Sequence, residues 1–82
     1  MQDLSLTVYS QKDKTNYQVD IIENYKIWDD IIENYKKYNY LVHVVALNEN
    51  HRSMYEFGET IWDFENLKEV YWFLKQIEKY GL

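Results

Sequence analysis

The chain has 82 residues, with 14 Asp plus Glu against 9 Lys plus Arg and neither cysteine nor proline. That length admits one domain over residues 1–82 with a single small core, and the missing cysteine excludes a disulfide framework, a thiolate nucleophile and a cysteine-ligated zinc. The net charge of -5 and a pI near 4.9 argue against broad direct contact with nucleic acid or anionic lipid, both of which are bound through Lys and Arg.

Aromatic residues make up 18% of the chain, far from the composition of a disordered segment, so a folded domain with a radius of gyration near ~12 Å is expected. The longest strongly apolar run, Tyr40 to Leu47, falls well short of the ~20 residues of a membrane span, and no basic-then-apolar leader is evident. The expectation is therefore a chain that works in a reducing cytosol, without a membrane.

Taken in order, Leu4, Leu6 and Val8 alternate with polar residues, as do Tyr17, Val19 and Ile21 beyond the polar run 11–16. The pattern predicts a hairpin. Ile27, Trp28, Ile31, Ile32, Tyr35 and Tyr38 then recur at threes and fours, with Asp29 and Asp30 early and Lys36 and Lys37 late, which predicts a first helix over 27–38. A start near Asp20 keeps the same spacing through Ile21 and Tyr25. Tyr40 to Leu47 is apolar on both faces and predicts a central strand that contains His43. A turn at 48–53 leads to strand character from Met54 to Phe64, with Gly58 as a bulge where the apolar positions change parity. Asn66 with Glu69 forms a capping-box pattern, and Leu67, Val70, Tyr71, Leu74 and Ile77 mark a helix ending at Gly81. The predicted fold is α+β: an antiparallel sheet of about four strands with two helices, in the order ββαββα.

One heptapeptide occurs twice, at 20–26 and at 30–36. Ten residues rotate a helix face by about 280° but restore the face of a strand, so the copies cannot share a role within one helix.

Catalytic chemistry finds little purchase. His43 and His51 are the only imidazoles, no serine sits in a nucleophile motif, and two glycines are too few for a phosphate loop. Asp29, Asp30 and Glu33 could stand together on one helix end, yet acids in a first turn are what the helix dipole favours. The reading is of no enzyme, no catalytic residue, no metal and no cofactor.

Charge placement carries more. From Asp20 to Asn34 the acids Asp20, Glu23, Asp29, Asp30 and Glu33 face one base, and from Glu49 to Glu65 the acids Glu49, Glu56, Glu59, Asp63 and Glu65 again face one, a local charge of -4 in each. Tyr25, Tyr55 and Trp62 interleave with them as candidate anchors at an interface centre. Trp72 lies about 200° round the last helix from Leu74, among Lys68, Lys75 and Lys79, which places it toward solvent.

In size, lack of cysteine, mixed strand and helix order and these two acidic clusters, the chain resembles in kind the small acidic inhibitors that phages and other mobile elements deploy against host defence. Among them are anti-CRISPR proteins that occupy nucleic-acid-binding grooves. The resemblance implies a stoichiometric, non-enzymatic inhibitor in the bacterial or archaeal host cytosol whose partner is a basic nuclease. The carboxylates of the clusters would then imitate phosphates. An immunity protein or antitoxin that masks one toxin is the alternative, and an accessory module that forms a homodimer through exposed aromatics such as Trp72 is a third.

Overall fold

The alternating stretches on either side of the first polar run do form a hairpin. In the computed structural model, which describes residues 3–55 and 59–82, β1 (Asp3–Ser10) pairs antiparallel with β2 (Thr15–Asp29). The turn is closed by the Lys14 N–H donating to the Ser10 carbonyl at 2.8 Å and the Asp13 N–H donating to Ser10 Oγ at 3.1 Å. β2 pairs in turn with β3 (Asn34–Ala46), and β3 with β4 (Glu59–Phe64). The result is a four-stranded antiparallel meander in chain order, followed by one helix, α1 (Leu67–Tyr80). The α+β class holds, but with one helix and the order ββββα.

The expected helix over 27–38 is instead the far end of the β2–β3 hairpin, and the alternative start near Asp20 also falls within β2. Aromatic and β-branched residues there meet across strands: Tyr25 opposes Tyr38 and Trp28 opposes Tyr35. Asp29 and Asp30 do not serve a helix dipole. The Asp29 carboxylate accepts the N–H of Ile31 at 2.9 Å and of Ile32 at 3.4 Å, an Asx turn that reverses the chain before Asn34. The two copies of the heptapeptide thus part company, the first running through β2 and the second making the turn and the start of β3.

β3 is central as expected, but α1 covers only one of its faces. On that side lie Leu6 and Val8 of β1, Tyr17, Val19 and Ile21 of β2, Val42 and Val44 of β3 and Phe64 of β4, packed against Val70, Phe73 and Ile77. Val19, Val42, Val44 and Ile77 are fully buried, each stabilising the fold by about 1.5–3 kcal/mol of transfer free energy. Of the predicted helix stripe, Leu67 and Tyr71 are exposed, and Phe73 takes the core position between Val70 and Ile77. Asn66 caps α1 by accepting the Glu69 N–H at 3.0 Å, while the Glu69 carboxylate reaches one residue further back, to the Glu65 N–H. At the other end Gly81 adopts φ 73° and donates its N–H to the Ile77 carbonyl.

The 48–53 turn is present, with Asn48 Oδ1 accepting from the Asn50 and Arg52 N–H groups. Met54, whose N–H returns to the Ala46 carbonyl, and Tyr55 are not in a strand, and β4 spans Glu59–Phe64. The expected bulge at Gly58 lies outside the described residues. Because β2 and β3 run on past the ends of their outer neighbours at Ile22 and Tyr40, they leave the sheet as a two-stranded arm. The arm stretches the molecule to 42 × 28 × 20 Å and raises the radius of gyration to 13.9 Å, above the ~12 Å of a compact chain of this length.

Candidate protein-binding surface

Strand alternation gives the sheet a second face, turned away from α1. The register ranks Ser5, Asp20, His43 and Ile61 across the four strands, and Asp3, Ile22, Leu41 and Asp63 in the next rank. Glu59 opposes Val45 on the same side. Four carboxylates, those of Asp3, Asp20, Glu59 and Asp63, therefore share this face, and among the described residues no Lys or Arg occupies a paired position on it within the four-stranded part of the sheet, the nearest being the Lys26–Lys37 pair on the extension of β2 and β3. With a strand spacing of ~4.8 Å and a rise of ~3.4 Å per residue, the charges spread over roughly 15 Å in each direction.

His43 organises the centre. Its Nδ1 lies 3.5 Å from Asp20 Oδ2, and its Nε2 meets Glu59 Oε2 across the strand pair. Asp20 also accepts a 2.5 Å hydrogen bond from Ser5 Oγ. That bond is the main reason its carboxyl sits below the usual carboxylate range, with partial burial acting the other way and Gln18 and His43 adding to the depression. The Ser5 hydroxyl is bonded to the carboxylate rather than to the imidazole, so the order along the network differs from that of a nucleophile activated by a base. What the network does is fix the direction of two acids on this face.

The arm forms a second surface, which adjoins the first at Leu41, Ile61 and Asp63. Asn24 adopts φ 55° and interrupts the ladder between the Glu23–Tyr40 and Tyr25–Tyr38 pairs. Past it, Tyr25, Ile27 and Tyr38 join Leu41, Ile61 and Trp62 around a shallow concavity of about 330 Å³ at the root of the arm. At the tip Ile31 is 93% exposed and Ile32 57%, with Trp28 and Tyr35 half-exposed behind them. The Trp28 indole N–H is held by Asp30 Oδ1 at 2.7 Å. The tip acids Asp29, Asp30 and Glu33 give way to Lys26, Lys36 and Lys37 along the stem, where Lys26 and Lys37 stand directly opposite each other.

The two acidic clusters of the sequence are therefore redistributed. Asp20 joins Glu59 and Asp63 on the sheet face, whereas Asp29, Asp30 and Glu33 are carried to the arm tip, some 30 Å along β2 at strand rise. Glu23 is half-buried at the arm's root on the α1 side, Glu49 is exposed in the turn after β3, and Glu65 lies at the α1 N-terminus. Glu56 lies outside the described residues. Of the candidate anchors, Tyr25 packs on Tyr38 at 6.4 Å, Tyr55 is exposed in the loop before β4, and Trp62 stacks on Phe73 at 5.5 Å, on the α1 side of the sheet. Trp72 is exposed, as its helix position predicts, while Lys75 lies over Tyr71 rather than over Trp72.

Asp3, Ser5 and the tip isoleucines are absent from the acidic reading of the sequence. The signal for Asp3 and Ser5 was strand parity, which puts them level with Leu41 and His43 only once the pairing is known. Ile31 and Ile32 were hidden by a helical spacing that a four-residue hairpin turn also produces.

Among the described residues no group of three His, Asp or Glu stands close enough to hold a metal ion, and no helix is long and apolar enough to cross a membrane. Comparison with protein-family models, with curated protein sequences and with solved structures finds no match to this chain.

Proposed function

We propose that this chain is a non-enzymatic inhibitor that lays its acidic sheet face in the basic nucleic-acid-binding groove of a host-defence nuclease. The observation that carries the reading is the open face itself: Asp3, Asp20, Glu59 and Asp63 with no Lys or Arg paired among them in the four-stranded part of the sheet, two of them oriented by His43. A fixed carboxylate surface attracts the cations that line such grooves and competes with phosphates for them. The inhibitor would act in the host cytosol without a cofactor, by occupancy alone.

The test is titration of the chain into cleavage assays of RNA-guided and other basic nucleases at several salt concentrations. Stoichiometric inhibition that weakens with salt is expected. The pair Glu59→Lys and Asp63→Lys should raise the inhibitory concentration by well over tenfold, since each desolvated charge pair couples by about 1.5 kcal/mol or more. Inhibition indifferent to both reversals, or none across the panel, would end this reading.

The arm favours a second one. Its apolar tip and mixed charges suit the cleft of a single dedicated partner, as in an immunity protein or antitoxin. Loss of protection on Ile31→Ser with Ile32→Ser, and none on the sheet-face reversals, would select it.

A further inference from the structure

The two edges of the sheet are not alike. β4 carries Glu59 and Asp63 within six residues, the charged kind of edge that repels another strand. β1 spans eight residues whose only charge is Asp3, with no Lys and no Pro, and its outer backbone has no partner strand among the described residues. A groove of about 390 Å³ lies between β1 and α1, with Leu6, Val8, Tyr71 and Leu74 in its lining beside the charged Lys75 and Glu78.

α1 covers β1 unevenly. The helix reaches this side of the sheet at its C-terminal end, where the Gln11 N–H donates to the Glu78 carbonyl at 2.9 Å. Val8 and Ser10 are buried there, whereas Leu4, at the other end of the strand, is 60% exposed. One half of the apolar row is roofed and the other is bare.

We propose that β1 pairs antiparallel with β1 of a second copy, on a two-fold axis at Leu6, to give a continuous eight-stranded sheet. In that register Leu6 meets Leu6 of the partner subunit, and each Leu4 meets Val8 of the partner subunit. Every bare half then lies beside the roofed half of the other copy. On the opposite face Asp3 falls across from Tyr9 and Ser5 from Thr7, so no like charges are opposed. The two Asp3 side chains stand about six residues apart along the strands, roughly 20 Å and beyond the screening length. This complementarity of a row with its own reverse singles out a second copy over an unrelated peptide strand. The joined sheet would carry both acidic faces on one side.

The proposal stands apart from the inhibitor reading and is tested without any partner. Sedimentation of the native chain between roughly 1 µM and 1 mM should show the mass rising from 10.2 kDa toward twice that value. Because the chain has no cysteine, Leu6→Cys places a single thiol at the axis, and mild oxidation should link the copies. Thr7→Cys, on the other face and off the axis, should stay unlinked. Leu6→Lys, which opposes two cations at the axis, should weaken association at least tenfold while the circular dichroism is retained. A chain of 10.2 kDa throughout with no Leu6→Cys link overturns the proposal, as does linking at Thr7→Cys in preference. A dimer that survives Leu6→Lys but is lost on Trp72→Ser would assign the contact to the outer face of α1 and overturn it too.

Discussion

Trp28 meets Tyr35 edge-on across the arm, ring centroids 5.2 Å apart and ring planes at 77°. The pair lies beyond the last residue of β1 or β4 that touches the ladder, so it stiffens a structure that no core supports. Trp28→Ala should destabilise the arm by about 0.5–1.5 kcal/mol, the usual worth of such a pair, while leaving the sheet intact. Hydrogen exchange is the measurement: the amides of 24–29 and 34–39 should speed up, and those of 17–22 and 41–45 should not.

Ile77 is fully buried at the centre of the helix–sheet contact. Ile77→Ala should cost about 2–5 kcal/mol, a large share of what so small a domain has in reserve. Denaturant unfolding would read it. A loss below 1 kcal/mol would mean that α1 is not needed to close the core.

On the acid side the network at Asp20 sets the response. Its carboxyl is held below the ordinary range chiefly by Ser5, so the stabilisation is present above the unfolded pKa of about 3.8 and is lost as pH falls through the depressed folded value. Ser5→Ala should return the Asp20 titration, followed by carboxyl NMR, toward 3.8. The stability lost at neutral pH should be under about 1 kcal/mol, since the bond is exposed and screened.

The alkaline side depends on Tyr17. Burial, reinforced by the 2.7 Å hydrogen bond to Asp13 Oδ2, pushes its hydroxyl up to about 12 from 10.0. A raised pKa means stabilisation that is whole below pH 10 and is lost between 10 and about 12, because the folded state resists the tyrosinate. Tyr17→Phe should flatten the stability profile over that interval. Ultraviolet titration of the phenols should show one fewer late-titrating group.

Legibility in the sequence followed burial. β1, the start of β2, the core of β3 and α1 each have one face against the interior, and their apolar periods announce it. The arm has no buried face, so nothing forces alternation between 24 and 39, and the residual order of Ile31, Ile32 and Tyr35 imitates a helix. The acidic surface was legible as composition but not as a place. Register, which no local pattern encodes, decides that Asp20 keeps company with Glu59 rather than with Asp29.

The duplicated heptapeptide has a consequence for how the chain folds. Seven identical letters serve once as strand and once as a turn with the first residues of β3, and a slip of ten residues preserves which side chains face which way. Before the core forms, Asp30 to Glu33 of the second copy can therefore take the partners of Asp20 to Glu23, His43 to Tyr40, with 34–39 as the connecting loop. Only Val19, Val42 and Val44, meeting beneath α1, tell the two apart. Refolding should show a slow phase from chains caught in the slipped hairpin, and scrambling the second copy while keeping Asp29 and Asn34 should remove it.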